Sequence, residues 1–171
     1  MMQNEIIRPI EPKDNTSIAN IIKKVLTEFK ANKPGTAYFD KNLYSLSEVF
    51  RTPESWYWVI EQDGEVRGGG GIFPTEGLPD GYCELVKLYL DEPLRGRGIG
   101  KKLIALCLQT AADAGYTHVY LETMPELEIA VPLYERLGFV YIQTSLGNSG
   151  HTDCNTWMVK AVAHLSAIKN N

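Results

Sequence analysis

Apolar residues along the chain recur with two periods. Ile18, Ile21, Ile22, Val25, Leu26 and Phe29 repeat at helical spacing, which predicts an amphipathic helix over 15–31. Asp14 reads as its N-cap, and Asn32-Lys33-Pro34-Gly35 as its stop. Residues 5–10 alternate enough for a first strand, closed by Pro9 and Pro12. Segment 36–52 holds Tyr38, Phe39, Leu43, Tyr44, Leu46, Val49 and Phe50, and a second short helix is expected over about 41–50. Its aromatics read as core rather than as a substrate cage, because large aromatics dominate cores. Trp56, Trp58 and Ile60 alternate with Tyr57, Val59 and Glu61, a strand covered on both faces. Asp63-Gly64 is a hairpin turn, and the strand returns over Glu65 to Phe73. Gly68 to Gly71 weaken that strand, so they mark a bulge, tight sheet packing or a ligand that approaches the backbone.

Further on, Tyr82 to Leu90 is a strand, about 97–114 a helix, and His118 to Leu121 a strand. Ile99, Leu103, Leu106 and Leu108 are expected to face inward from the helix, and Gly115 to end it. Strand, helix and strand of this length imply a parallel pair. A helix over 127–137 carries Ile129, Leu133 and Leu137. Its Pro132 either lies in the first turn of a helix that starts near Ala130, or kinks it. Phe139 to Ile142 and Asn155 to Ala161 are strands around a loop at Gly147 to Gly150, and 163–171 reads as a loose tail. The fold class is α/β: a mixed, mostly antiparallel sheet with one parallel unit and about four helices, in a single domain over 1–171.

Between the strand Tyr82 to Leu90 and the helix after it lies the basic glycine turn Arg95-Gly96-Arg97-Gly98-Ile99-Gly100-Lys101-Lys102. A helix N-terminus leaves its first N–H groups unpaired. Those donors, the positive end of the helix dipole and Arg95, Arg97, Lys101 and Lys102 make an anion site suited to phosphate. A P-loop is excluded, because Arg95 stands where its first glycine belongs and Lys102 where the magnesium-binding hydroxyl belongs. A dinucleotide fingerprint is excluded, because Lys101 fills its third glycine slot.

What fits is Arg or Gln, two residues, Gly, one residue, Gly or Ala: Arg95, Gly98 and Gly100. With Leu133-Tyr134-Glu135-Arg136-Leu137-Gly138-Phe139 downstream, the chain resembles the GNAT superfamily of acyl-CoA-dependent N-acetyltransferases over nearly its full length. The resemblance implies acetyl-CoA as co-substrate, with its pyrophosphate on Arg95, Gly96, Arg97, Gly98, Ile99, Gly100 and Lys101. It implies that a backbone N–H among Leu88, Tyr89 and Leu90 holds the developing oxyanion, and that Tyr134 protonates the departing thiolate. A phenol near pKa 10 is a competent acid for a thiolate near 8.5. Glu84 shares a strand face with Tyr82, Val86 and Leu88 if the pleat is regular. A carboxylate among apolar neighbours has a raised pKa, which suits a base for the amine, and the family often places one there. Glu122, His151 and Asp153 are rivals for that role. The family often carries asparagine seven residues before the tyrosine, whereas this chain has Leu127. That departure feeds a rival reading, a catalytically silent acyl-CoA-binding module. The resemblance leaves the amine open between small molecule and peptide, and leaves room for a homodimer.

Charge and cysteine content narrow this reading. A net charge of −4 disfavours a nucleic-acid backbone and mildly favours a cationic substrate. Cys83, Cys107 and Cys154 cannot all pair with each other, lack metal spacing and have no recognisable base partner. His151 and Cys154 are too few for a closed zinc site, so no metal is expected. There is no leader pattern at Met1 to Ile7 and no run of about 20 apolar residues, so the expected setting is cytoplasmic, away from membranes.

Overall fold

A strand that is apolar on both faces must lie in a sheet covered twice. In the computed structural model, which describes residues 4–163, that sheet has seven strands in the order β1-β2-β3-β4-β5-β7-β6. They are β1 Glu5–Pro9, β2 Trp56–Gln62, β3 Glu65–Phe73, β4 Tyr82–Leu90, β5 His118–Thr123, β6 Val140–Ile142 and β7 Thr156–Ala161. β4 and β5 are parallel, and the other neighbours are antiparallel. Four α-helices cover the sheet: α1 Asn15–Glu28, α2 Leu46–Val49, α3 Ile99–Asp113 and α4 Ala130–Arg136. Trp58 and Ile60 of β2 pack into a core with Leu103, Ile104 and Cys107 of α3 and Tyr134 of α4. Tyr57 and Val59 pack into a second core with Ile18, Ile22 and Leu26 of α1 and Leu46 of α2. Each fully buried Ile or Leu contributes about 1.5–3 kcal/mol.

The boundaries differ from expectation for local reasons. α1 ends at Glu28, with Lys30 in the left-handed region at φ 58°. Asp14 precedes α1 but does not cap it with its side chain. Its buried carboxylate instead accepts two bonds from Arg8, at 2.8 and 2.9 Å, and one from the Glu11 amide at 2.8 Å. The helix expected over 41–50 splits into a 3-10 turn, Leu43–Ser45, and the one-turn α2. Ile104 and Cys107 are the buried residues of α3 where Leu106 and Leu108 were expected; those two are half-buried. α4 starts at Ala130, which puts Pro132 in its first turn, where a missing N–H breaks no helical bond. Except for residue 163, the expected tail lies outside the described residues.

The glycine run packs tightly against its neighbours in the sheet. A Cβ on Gly69 would lie 2.8 Å from the Tyr57 ring, and one on Gly71 would lie 2.2 Å from the Trp56 carbonyl. On the opposite face, a Cβ on Gly70 would meet Leu88 at 2.7 Å and Leu103 at 3.2 Å.

Candidate active site

The space cleared by Gly69 and Gly71 holds Tyr57, whose hydroxyl donates to the Lys87 carbonyl at 2.8 Å. Lys87 is the irregular point of β4. Gly71 pairs with Val86 and Gly69 with Tyr89, so β4 spends three residues where β3 spends two. The extra residue is a bulge with Lys87 at φ 50°, an uncommon conformation for a side chain of this length. The bulge breaks the regular pleat. Glu84 and Val86 line one cavity, whereas Leu88 packs with the α3 core, so the expected shared face stops at Val86.

β4 also leaves its other neighbour early. It pairs with β5 only at Tyr82–His118, Cys83–Val119 and Glu84–Tyr120, although β4 runs on to Leu90 and β5 to Thr123. The strands part at their carboxyl ends, where open α/β sheets bind ligands. Three cavities meet at this wedge.

The first cavity, about 90 Å³, is lined by Leu88, Tyr89, Leu90, Gly100, Leu127 and Tyr134 among others, and is mostly apolar. At its mouth is the glycine turn. Gly96 and Gly98 have φ 71° and 77° with open space where a Cβ would be, so conformation and not crowding demands glycine there. Gly100 is a packing position, its Cβ site 3.1 Å from Leu90 and 3.5 Å from Leu133. The first helical bond of α3 is Lys102 N–H to Gly98 C=O, so the amides of Ile99, Gly100 and Lys101 precede it as open donors. Lys101 and Lys102 are exposed beside them. Arg95 is a brace: it donates to the Leu90 carbonyl at 3.0 Å and grips both oxygens of Glu28 at 2.6 and 2.9 Å. It also stacks over Phe29. Arg97 pairs with Glu5.

Tyr134 comes to the same cavity from α4, buried with 6% of its surface exposed, its ring edge-on to Phe139 at 5.8 Å. Burial pushes its phenol up, so it stays protonated at neutral pH. A merely structural buried tyrosine normally spends its hydroxyl on an acceptor. No hydrogen bond from this one is formed among the described residues.

The second cavity, about 350 Å³, is lined by Glu84, Thr75, Asp40, Lys87 and His151 with an apolar wall. Glu84 is 3% exposed and accepts a bond from the Thr75 hydroxyl at 3.1 Å. Burial, then the neighbouring Glu122 carboxylate, push its pKa up to about 7. Asp40 is bonded by Lys87 at 2.7 Å and by His151 at 2.9 and 3.1 Å. Burial works to raise its pKa, but His151 and Lys87 outweigh that and hold the carboxylate below its usual range. A third cavity, about 50 Å³, lies between the other two. It shares Glu84, Lys87 and His151 with one, and Tyr89 and Leu127 with the other.

The wedge thus gathers Glu84, Tyr134, residues 88–90 and the glycine turn. Glu122, bonded by Tyr120 at 2.7 Å and by Ser149, lines the connecting cavity beside Glu84. Asp153 turns away to Lys33 at 3.0 Å. Burial raises the Cys83 and Cys154 thiols to about 12, far from a reactive thiolate. Among the described residues no cluster of three His, Cys, Asp or Glu could hold a metal, and no helix is long and apolar enough to cross a membrane. Sequence reasoning missed the Asp40–Lys87–His151 cluster. Its members are 47 to 111 positions apart, and no local pattern marks them.

Known proteins resemble this chain in sequence and in fold. The chain is 41% identical over 160 residues to the uncharacterized N-acetyltransferase YjgM of Escherichia coli K12, which is 92% of this chain and 95% of that one. Its fold matches an acetyltransferase of the GNAT family from Staphylococcus aureus Mu50, with a TM-score of 0.82 at 17% identity, covering 92% of this chain and 99% of that one. It also matches the PaiA N-acetyltransferase of Thermoplasma acidophilum crystallised with coenzyme A, with a TM-score of 0.72 at 17% identity, over 92% and 99%. The model of the acetyltransferase (GNAT) family matches residues 18–139, and the chain belongs to that family.

Proposed function

We propose that this acetyltransferase moves the acetyl group of acetyl-CoA to a primary amine by direct attack, with both substrates bound at once. One observation carries the reading. Glu84, with its raised pKa, and Tyr134, with its uncommitted hydroxyl, line cavities joined through the β4–β5 wedge. The pyrophosphate rests on the amides of Ile99, Gly100 and Lys101, with Gly96 and Gly98 shaping the turn, Arg97 and Lys101 adding charge, and Arg95 bracing it. The coenzyme A in the PaiA crystals supports the choice of donor. The pantetheine arm lies along the apolar cavity. Glu84 takes a proton from the ammonium, and the freed lone pair attacks the thioester carbonyl. A backbone N–H among Leu88 to Leu90 holds the oxyanion. The intermediate collapses as the C–S bond breaks and the C–N bond stays, and the nitrogen loses its remaining extra proton to water, as does Glu84 the proton it took. Tyr134 gives its proton to the thiolate and is reprotonated from solvent. Burial that keeps Glu84 near neutrality matches the base to its task.

Thiol release from acetyl-CoA with a panel of amines tests this. Intersecting initial-rate lines are expected, and parallel lines would replace direct attack by a covalent acetyl-enzyme. Binding of acetyl-CoA with no thiol release from any amine would make the protein a silent acyl-CoA-binding module.

A further inference from the structure

The wall of the acceptor cavity is aromatic. Phe50 and Phe73 meet edge-on, with centroids 5.6 Å apart at 80°, and Phe50 is backed by Tyr57 at 4.9 Å. Both phenylalanines are only half-buried, and both line the cavity with Val49 and Val86. Glu84 lines the same cavity directly across the β3–β4 ladder from Phe73, so the base and the ring wall are neighbours. We propose that the acceptor is a primary amine on an apolar, aromatic-sized body, with no carboxylate beside the amine; this rests on the acetyl-transfer reading above.

The charges around the cavity exclude the commoner alternatives. An α-carboxylate would enter beside Glu84 and close to Glu122, two carboxylates, with no unpaired cation buried beside them among the described residues. Lys87 and His151 are both engaged by Asp40. Lys41 and Glu76 also line the cavity, but both are exposed at its rim. A polyamine would need a second free acid inside: Asp40 is held by Lys87 and His151, Glu122 by Tyr120 and Ser149, and Glu76 is exposed. An edge-to-face arrangement, by contrast, extends naturally to a third ring. The space, about 350 Å³, takes a phenylalkyl group with room left for the acetyl carbon.

The test compares 2-phenylethylamine, phenylalanine, spermidine and ethylamine with acetyl-CoA and the intact protein. We expect kcat/KM for 2-phenylethylamine to exceed that for ethylamine by roughly 10- to 100-fold, from the buried ring. Phenylalanine should fall on the order of 10-fold or more below 2-phenylethylamine, because like charges at a closed site repel. Phe73→Leu and Phe50→Leu should raise KM for 2-phenylethylamine and leave that for ethylamine nearly unchanged. If either unfolds, the other variant and the wild-type panel still decide. Phenylalanine accepted as well as 2-phenylethylamine would overturn the inference and transfer the carboxylate to Lys41. Spermidine as the best acceptor would overturn it too. Failure here alone shows as amines acetylated without regard to ring or carboxylate; failure of the acetyl-transfer reading shows as no thiol release from any of the four.

Discussion

Glu84 is a residue whose cost and use have the same origin. Burial and Glu122 hold its proton to about pH 7, so the rate should climb as pH rises through about 7 and level off above. Glu84→Gln should lower kcat by on the order of 10²–10⁴. Glu122→Gln removes a neighbouring negative charge and should move the acid limb of kcat/KM to lower pH; an unmoved limb would separate Glu122 from the base. Stability runs the other way. The unfolded chain loses this proton near 4.5 and the folded chain near 7, so the group's contribution is full below 4.5 and is lost as pH rises to about 7. Glu84→Gln should therefore melt higher than the wild type at pH 8, and this advantage should shrink at pH 5. Glu84 was legible in the sequence because a carboxylate amid Cys83, Leu85 and Val86 in a strand is conspicuous. Asp40 was not, since it is an ordinary loop residue until the fold joins it to Lys87 and His151, and His151 stood out only as a rival base.

At the scale of elements, one causal chain runs from β3 into the site. Gly69 and Gly71 admit Tyr57, Tyr57 pins the Lys87 carbonyl, and the bulge re-aims β4. Gly71→Ala should therefore cost more than about 3 kcal/mol, because its Cβ would lie 2.2 Å from backbone that cannot retreat. Tyr57→Phe keeps the ring and loses only the bond, so kcat should fall more than the melting temperature suggests. In the glycine turn, Gly98→Asp should fold, with a penalty of about 1–2 kcal/mol for its left-handed backbone, and lose acetyl-CoA binding in calorimetry. Unchanged affinity would remove the turn from the site. On α4, Tyr134→Phe should drop kcat by about 10²–10⁴ with little change in acetyl-CoA affinity. The elements were mostly legible because each has a period or a turn residue of its own. The bulge was not: register between β3 and β4 is a property of two strands together, and Lys87 carries no mark of its φ. The expectation that the aromatics of 36–52 are core fails for Phe39 and Tyr44, which are exposed, while Tyr38 and Phe50 are half-buried; the segment's large buried side chains are Leu43 and Leu46. Phe50 also faces the acceptor cavity, which only the packing of Tyr57 reveals.

For the molecule as a whole, ligand binding should report identity. Acetyl-CoA at 100 times its dissociation constant should add about 2.7 kcal/mol of stability, whereas ATP and NAD should add little in a thermal-shift assay. A larger shift with either nucleotide would overturn the donor assignment. The ladder between β4 and β5 has a further consequence. It holds three residue pairs, so the sheet is two half-sheets, β1 to β4 and β5 to β7, joined by one short seam. Strand backbone groups alternate in direction, so beyond Glu84 about half of those on β4 face away from β3 and lack a strand to bond. An amide without a partner exchanges its hydrogen for deuterium quickly. Peptides covering residues 86–90 and 121–124 should take up deuterium faster than the rest of the sheet. A donor molecule lying in the wedge would act as the missing rung, and its arrival would be written as slowed exchange in those two peptides before any product forms.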